Sequence, residues 1–212
     1  MCLWDTRWAE VKNAEAGEWS RSAVTLLSLG DPRRGGVGSP DGSKTIVVDG
    51  VRLRVVENGH LLPGLENTAI GTLAEISWAP DSKAFFVTES DGGTVGSWSV
   101  DVFTISDGGV VRTRPTEEVV RRFSRTYRCH DEELPNVGAV SWGKNSEAIL
   151  VVAEVPPHSS CPEMGKVRGY IVSVADGKVI EEVSPASLRG HWRRHLGDRL
   201  KDSLSHYKYS LR

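Results

Sequence analysis

The sequence predicts an all-β fold, a propeller-like array of about three four-stranded antiparallel blades. Three observations support this. A tight polar turn leading into a β-branched or aromatic run occurs three times. Each copy is followed by an alternating strand that turns back through an Asn-Gly or Asp-Gly step. And 22 Gly, 10 Pro and 7 Trp in 212 residues combine turn formers with large aromatics, as many short strands require. Four antiparallel strands per repeating unit correspond to one propeller blade.

The first turn, Ser39-Pro40-Asp41-Gly42-Ser43-Lys44, enters Thr45-Ile46-Val47-Val48. The second, Trp78-Ala79-Pro80-Asp81-Ser82-Lys83, enters Ala84-Phe85-Phe86-Val87, and the third, Trp142-Gly143-Lys144-Asn145-Ser146-Glu147, enters Ala148-Ile149-Leu150-Val151-Val152. Pro presets φ on entry, and Asp or Asn accepts from the backbone two residues on, so these residues have a structural role. Short strands, Ile76-Ser77-Trp78 and Val140-Ser141-Trp142, precede the second and third turns.

The second half of each unit is a hairpin. Val51–Val56 turns at Glu57-Asn58-Gly59, Trp98–Ile105 at Asp107-Gly108-Gly109, and Gly169–Val174 at Ala175-Asp176-Gly177. Asn-Gly and Asp-Gly are strong hairpin signals because primed turns need positive φ. The predicted core comprises Trp78, Phe86, Phe103, Trp142, Ile149, Val151 and Ile171.

These units resemble the PD-type, WD-like propeller repeats of TolB-like periplasmic proteins and of the propeller domains attached to prolyl-oligopeptidase-type peptidases. The resemblance rests on Ser39-Pro40-Asp41-Gly42, Trp78-Ala79-Pro80-Asp81-Ser82-Lys83 and Trp142-Gly143-Lys144-Asn145-Ser146, and spans Ser39 to Ile180. The first copy lacks the leading Trp, and the third has Gly143-Lys144 where Pro would sit. The resemblance implies a blade, not an activity.

Three segments emerge: residues 1–38 with one strand at Ala23–Leu29, the repeat domain 39–185, and a basic C-terminal tail 186–212. The interval before the third turn is longer than that before the second, and its Pro115–Phe123 stretch suits a short helix. Thr116 is its expected N-cap, with acids early and arginines late to match the dipole. In the tail, Trp192, His195, Leu196 and Leu200 share a helical stripe suited to docking. Its basic run, Arg189, His191, Arg193, Arg194, His195, Arg199 and Lys201, reads as a solvated helix face.

A net charge of −2 gives no duplex-binding surface, and no apolar run approaches the ~18–20 residues of a spanning helix. No cofactor is expected. The chain has no Gly-x-Ser-x-Gly elbow, His-Glu-x-x-His, phosphate-binding Gly-Lys-Ser/Thr loop or Cys-x-x-Cys, and Gly92–Gly96 lacks a dinucleotide-binding setting. The N-terminus carries no signal-peptide pattern, which reads as cytoplasmic, or as periplasmic if the chain is processed.

Of three cysteines, Cys129 and Cys161 form the pair inside the body; they bridge in an oxidising compartment and stay thiols in a reducing one. Cys129, His158 and Cys161, with His130, also form a weak metal-ligand set, awkward because His130 directly follows Cys129. The expected function is a noncatalytic scaffold binding a protein or peptide through its blade loops, the alternative being an enzyme or small-ligand protein using a central channel. At about 40–45 residues per blade, a closed ring is out of easy reach. The expectation is therefore a homo-oligomer, or an open side covered by the terminal segments.

Overall fold

Three turns of near-identical backbone organise the molecule, although their sequences diverge. With the turns counted from Ser39, Ala79 and Gly143, so that Trp78 and Trp142 stand just before them, positive φ falls on the fourth residue of each: Gly42 (73°), Ser82 (60°) and Ser146 (59°). The first residue of each turn bonds across it, Ser39 to Lys44, Ala79 to Ala84 and Gly143 to Ala148, at 2.8–2.9 Å. Asp41 and Asp81 accept from the backbone N–H two residues on, at 2.9 and 3.0 Å, which locks the entry into the next strand. The third turn reaches the same conformation with Lys144 in place of proline.

The computed structural model describes residues 17–27, 36–92, 96–127 and 134–206. Strand β1 (Val24–Leu27) is followed by β2 (Gly36–Gly38), β3 (Lys44–Asp49), β4 (Arg52–Glu57) and β5 (His60–Leu61). Then come β6 (Leu73–Trp78), β7 (Ala84–Ser90), β8 (Trp98–Ser106) and β9 (Gly109–Thr113), and helix α1 (Thr116–Phe123). Strands β10 (Asn136–Trp142), β11 (Ala148–Glu154), β12 (Val167–Ser173) and β13 (Val179–Val183) precede helices α2 (Pro185–Gly190) and α3 (Asp198–His206). The strands form three antiparallel sheets: β2-β3-β4-β5, β1-β6-β7-β8-β9 and β10-β11-β12-β13.

Side-chain alternation gives each sheet two faces, and the sheets stack through them. Val37, Ile46, Leu53 and Val55 of the first sheet meet Ile76, Trp78, Phe85 and Phe103 of the second. The opposite face of the second sheet, with Phe86, Val100 and Val102, meets Val137, Ile149, Val151 and Tyr170 of the third. Adjacent sheets are also tied by equivalent hydrogen bonds. Trp78 Nε1 donates to the Val37 carbonyl at 2.8 Å, and Trp142 Nε1 to the Ser77 carbonyl at 3.3 Å.

Among the described residues, the third sheet's other face meets no sheet. Leu150, Val152, Val167 and Val183 pack instead on Leu188 of α2, on Leu196, and on Leu200 and Leu204 of α3. At the far end of the stack, the first sheet turns Gly38 and Thr45 outward where the second and third place Trp78 and Phe85, and Trp142 and Ile149. That face does not repeat the apolar set that joins the sheets.

Of the residues expected in the core, Trp78, Phe86, Phe103, Ile149 and Val151 are buried, and Trp142 and Ile171 are half-buried and packed against it. Other expectations need correction. Pro115, not Thr116, is the N-cap of α1. The Thr116 hydroxyl is drawn to β8, accepting from Val100 N–H at 2.8 Å and donating to its carbonyl at 3.1 Å. The tail forms two helices rather than one continuous stripe. The expected N-terminal strand exists as β1 and pairs with β6, adding a fifth strand to the second sheet. No helix among the described residues is long and apolar enough to cross a membrane.

Candidate functional site

The cap over the third sheet is built from both ends of the chain. Ser184 starts α2, its hydroxyl accepting from Ser187 N–H at 3.1 Å, with Pro185 in the first turn where its missing N–H costs nothing. Leu196, Leu200 and Leu204 recur at four-residue spacing and present one apolar stripe to the sheet. The segment from Gly17 to Arg21 runs beside them. Gly197 N–H donates to the Trp19 carbonyl at 2.8 Å, and Arg21 N–H to the His195 carbonyl at 3.0 Å.

Trp19 is fully buried and lies flat against Gly138 of β10, where any Cβ would sit 2.0 Å from the indole. A bulge at Val140 interrupts the β10–β11 ladder, and its carbonyl accepts from the Ser20 hydroxyl at 2.7 Å. Trp19 meets Trp98 edge-on at 5.9 Å, and the Arg199 guanidinium lies over both rings.

Two buried carboxyl groups hold the cap. Glu154, fully buried at the end of β11, accepts from Arg199 Nε at 2.7 Å and from the Ser203 hydroxyl. Glu75, fully buried on β6, accepts from the N–H groups of Trp19 and Ser20 at 3.1 Å. Burial outweighs those hydrogen bonds and pushes the Glu75 carboxyl up to about 7. Neither residue stands out in the sequence. Both lie in apolar strand runs, and their partners are distant in the chain.

Between α2 and α3 the cap opens into a cleft of about 510 Å³ lined by Arg189, Gly190, Arg193, Leu196, Lys201, Leu204 and Ser205. Its floor is leucine and its walls carry three cationic side chains. The tail's basic run is therefore not one solvated helix face. Arg193 and Arg194 are exposed, but Arg199 points inward to Glu154 and the leucines are buried.

Beside the cleft lies a Ser–His pair. His195 Nδ1 is 3.4 Å from Ser141 Oγ, and His195 Nε2 accepts from Arg194 Nε at 3.0 Å. An Nε2 that accepts places the ring proton on Nδ1, so the imidazole donates to Ser141 instead of taking its proton. Burial, with Arg194 and His191 nearby, holds the imidazole below its usual range. The Ser141 hydroxyl itself turns to the Trp142 carbonyl at 3.3 Å. This arrangement positions the Arg194–His195 turn and does not activate a nucleophile. His191 and His195 do not converge on a common ligand point; their rings flank Trp192 at 5.2 and 5.8 Å.

No protein-family model and no curated protein matches the chain.

Among the sequence-derived candidates, Cys129 and His130 lie outside the described residues. His158 is exposed, and Cys161 is disulfide-bonded, so its sulfur is not a thiolate ligand. The bond's other sulfur belongs to Cys2 or Cys129, both outside the described residues. Among the described residues no group of three His, Cys, Asp or Glu side chains is placed to hold a metal. Gly93 to Val95 of the glycine-rich loop also lie outside them.

Proposed function

We propose that this chain is a noncatalytic, propeller-like scaffold that binds a protein or peptide partner, and that the cleft of the C-terminal cap is its contact site. The observation carrying this reading is the cleft itself, a concave opening with a leucine floor and cationic walls. A few convergent polar groups over apolar lining are the usual form of a binding site. The propeller-like part is supported by the three equivalent turns and by the two equivalent Trp-to-carbonyl links between sheets. It agrees with the resemblance to TolB-like repeats.

The contact surface then lies on the cap instead of the blade loops. The repeat turns are occupied by their own hydrogen bonds: the Ser39 and Ser43 hydroxyls donate to the Asp41 carboxylate, and the Asp41 N–H donates to the Ser82 hydroxyl oxygen.

The test compares wild-type and Arg193→Glu/Lys201→Glu protein in pull-downs from source-cell lysate, alongside hydrolase and lyase activity panels. A partner retained by wild type and lost by the variant supports the proposal. A defined turnover by the purified chain overturns it.

A further inference from the structure

Resting on that binding reading, we infer that the cleft between α2 and α3 takes an acidic peptide segment in which a carboxylate stands next to an aliphatic side chain. The chain's net charge is −2, so a site with three cationic side chains on its walls is a local reversal of sign. Arg193 is exposed beside it. Lys201 pairs with Asp198 at 2.7 Å, but that carboxylate is 71% exposed. Such an exposed pair is weak and screened by salt, so a ligand carboxylate can replace Asp198 at little cost.

The floor decides the rest of the ligand. Leu196 and Leu204 belong to the buried stripe, yet both line the cleft. An inorganic anion would leave that apolar surface wet, whereas an aliphatic side chain beside the carboxylate covers it. The Ser205 hydroxyl donates to the Lys201 carbonyl at 2.6 Å, so its oxygen keeps acceptor capacity for a peptide N–H. A volume of about 510 Å³ holds a few side chains, not a folded surface. Geometry also separates this ligand from two other polyanions. A duplex or an anionic bilayer presents charges in a repeating array and needs a broad basic face. Here the cations surround a single concavity.

The test is fluorescence anisotropy of a labelled Leu-Asp-Glu-Leu peptide with the full chain, across a salt series. Its comparisons are a Leu-Asn-Gln-Leu peptide, inorganic phosphate as competitor, and sedimentation with phosphatidylcholine vesicles containing phosphatidylserine. Binding of the acidic peptide, weakening with salt and falling at least about tenfold in Arg193→Glu, is the expected result. Arg52→Glu, an exposed change of equal charge on β4, should leave it unaltered. Arg193 is itself exposed, so melting temperatures should coincide.

Equal binding of the neutral peptide overturns the inference, as does equal loss in both variants. Binding of phosphate or vesicles without the acidic peptide overturns it too. No peptide binding, with a partner still captured by wild type and lost on cleft charge reversal, refutes the ligand class and leaves the scaffold reading standing. Turnover refutes the scaffold reading itself.

Discussion

Trp142 Nε1 donates to the Ser77 carbonyl at 3.3 Å, across the junction of the second and third sheets. Trp78 makes the same contact with Val37, one junction earlier, at 2.8 Å. Each acceptor is the second residue before its own turn, and each donor immediately precedes the next. The motif's tryptophan is therefore a cross-sheet tie as well as an apolar cover. The two ties differ in depth: Trp78 is buried against Phe85, whereas Trp142 is half-buried and stacked on Phe86 at 5.6 Å.

Trp78→Ala should accordingly destabilise by about 3–5 kcal/mol, through lost burial and a cavity at the first junction. Trp142→Ala should cost less, because part of its ring is already in water. Urea denaturation of both variants checks the order. An equal or larger loss for Trp142 would contradict the burial difference.

Glu75 should make stability depend on pH in an unusual direction. The folded protein keeps this carboxyl protonated up to about 7, whereas the unfolded chain releases the proton near 4.5. Between those values the folded state binds more protons, so its stability falls as pH rises. The full effect is on the order of 3 kcal/mol. His195 works the other way just below 6.5, because its folded value is lowered. Glu75→Gln isolates the effect: the variant should lose the downward slope across this window. Parallel pH profiles for the two proteins would refute the assignment.

Glu154 and Arg199 should behave as a coupled pair. Arg199→Ala leaves a fully buried carboxylate with only the Ser203 hydroxyl, and strips the cation from Trp19 and Trp98. A loss of about 3–5 kcal/mol follows. Combining it with Glu154→Gln should recover part of that loss, since no bare charge then stays buried. A double-mutant cycle measures this, and simple additivity would contradict the coupling.

What was legible in the sequence follows from the range of the interactions. Turns are local chemistry, so Asn58-Gly59, Asp107-Gly108 and the Pro-Asp steps were readable, as was the strand each introduces. Strand β2 was not, because Gly36-Val37-Gly38 has no strand preference and forms by pairing with β3. Thr116 had the chemistry of an N-cap, but the Val100 backbone, sixteen positions away, competed for its hydroxyl. Of the tail's apolar stripe, Leu196 and Leu200 were visible and Leu204 was not. Nor was its interruption, because Gly197 passes so close to the Glu18 backbone that a Cβ would lie 2.4 Å from it. For the candidate site, the basic residues were evident and the cleft was not. A cleft depends on how α2 and α3 meet, which no local pattern encodes.

The cysteines offer a test outside the described residues. One disulfide at Cys161 among three cysteines leaves one free thiol when the unreduced chain is denatured. We expect peptide mapping to find Cys129 as the partner, because it also lies within the body of the chain. On chain entropy, a bridge closing that loop contributes about 3–4 kcal/mol. Three titratable thiols, or a bridge to Cys2, would overturn this expectation.

Removal of the cap should convert the protein into a self-associating one. A chain ending at Pro185 loses Leu188, Leu196, Leu200 and Leu204, and so bares Leu150, Val152, Val167 and Val183 on one face of the third sheet. It also leaves Glu154 without Arg199 and Ser203, and removes the carbonyl that holds Arg21. A contiguous apolar sheet face in water drives association, and a weakened hold on Trp19 enlarges the exposed area. The full-length chain, with this face covered, should sediment as a monomer, and the shortened form should sediment faster as concentration rises. Asp101, paired with Arg112 at the opposite face of the second sheet, is untouched by the truncation. That sheet should therefore retain its circular dichroism while the oligomer forms. A shortened chain that stays monomeric and equally stable would show that the helices are not needed to cover the third sheet.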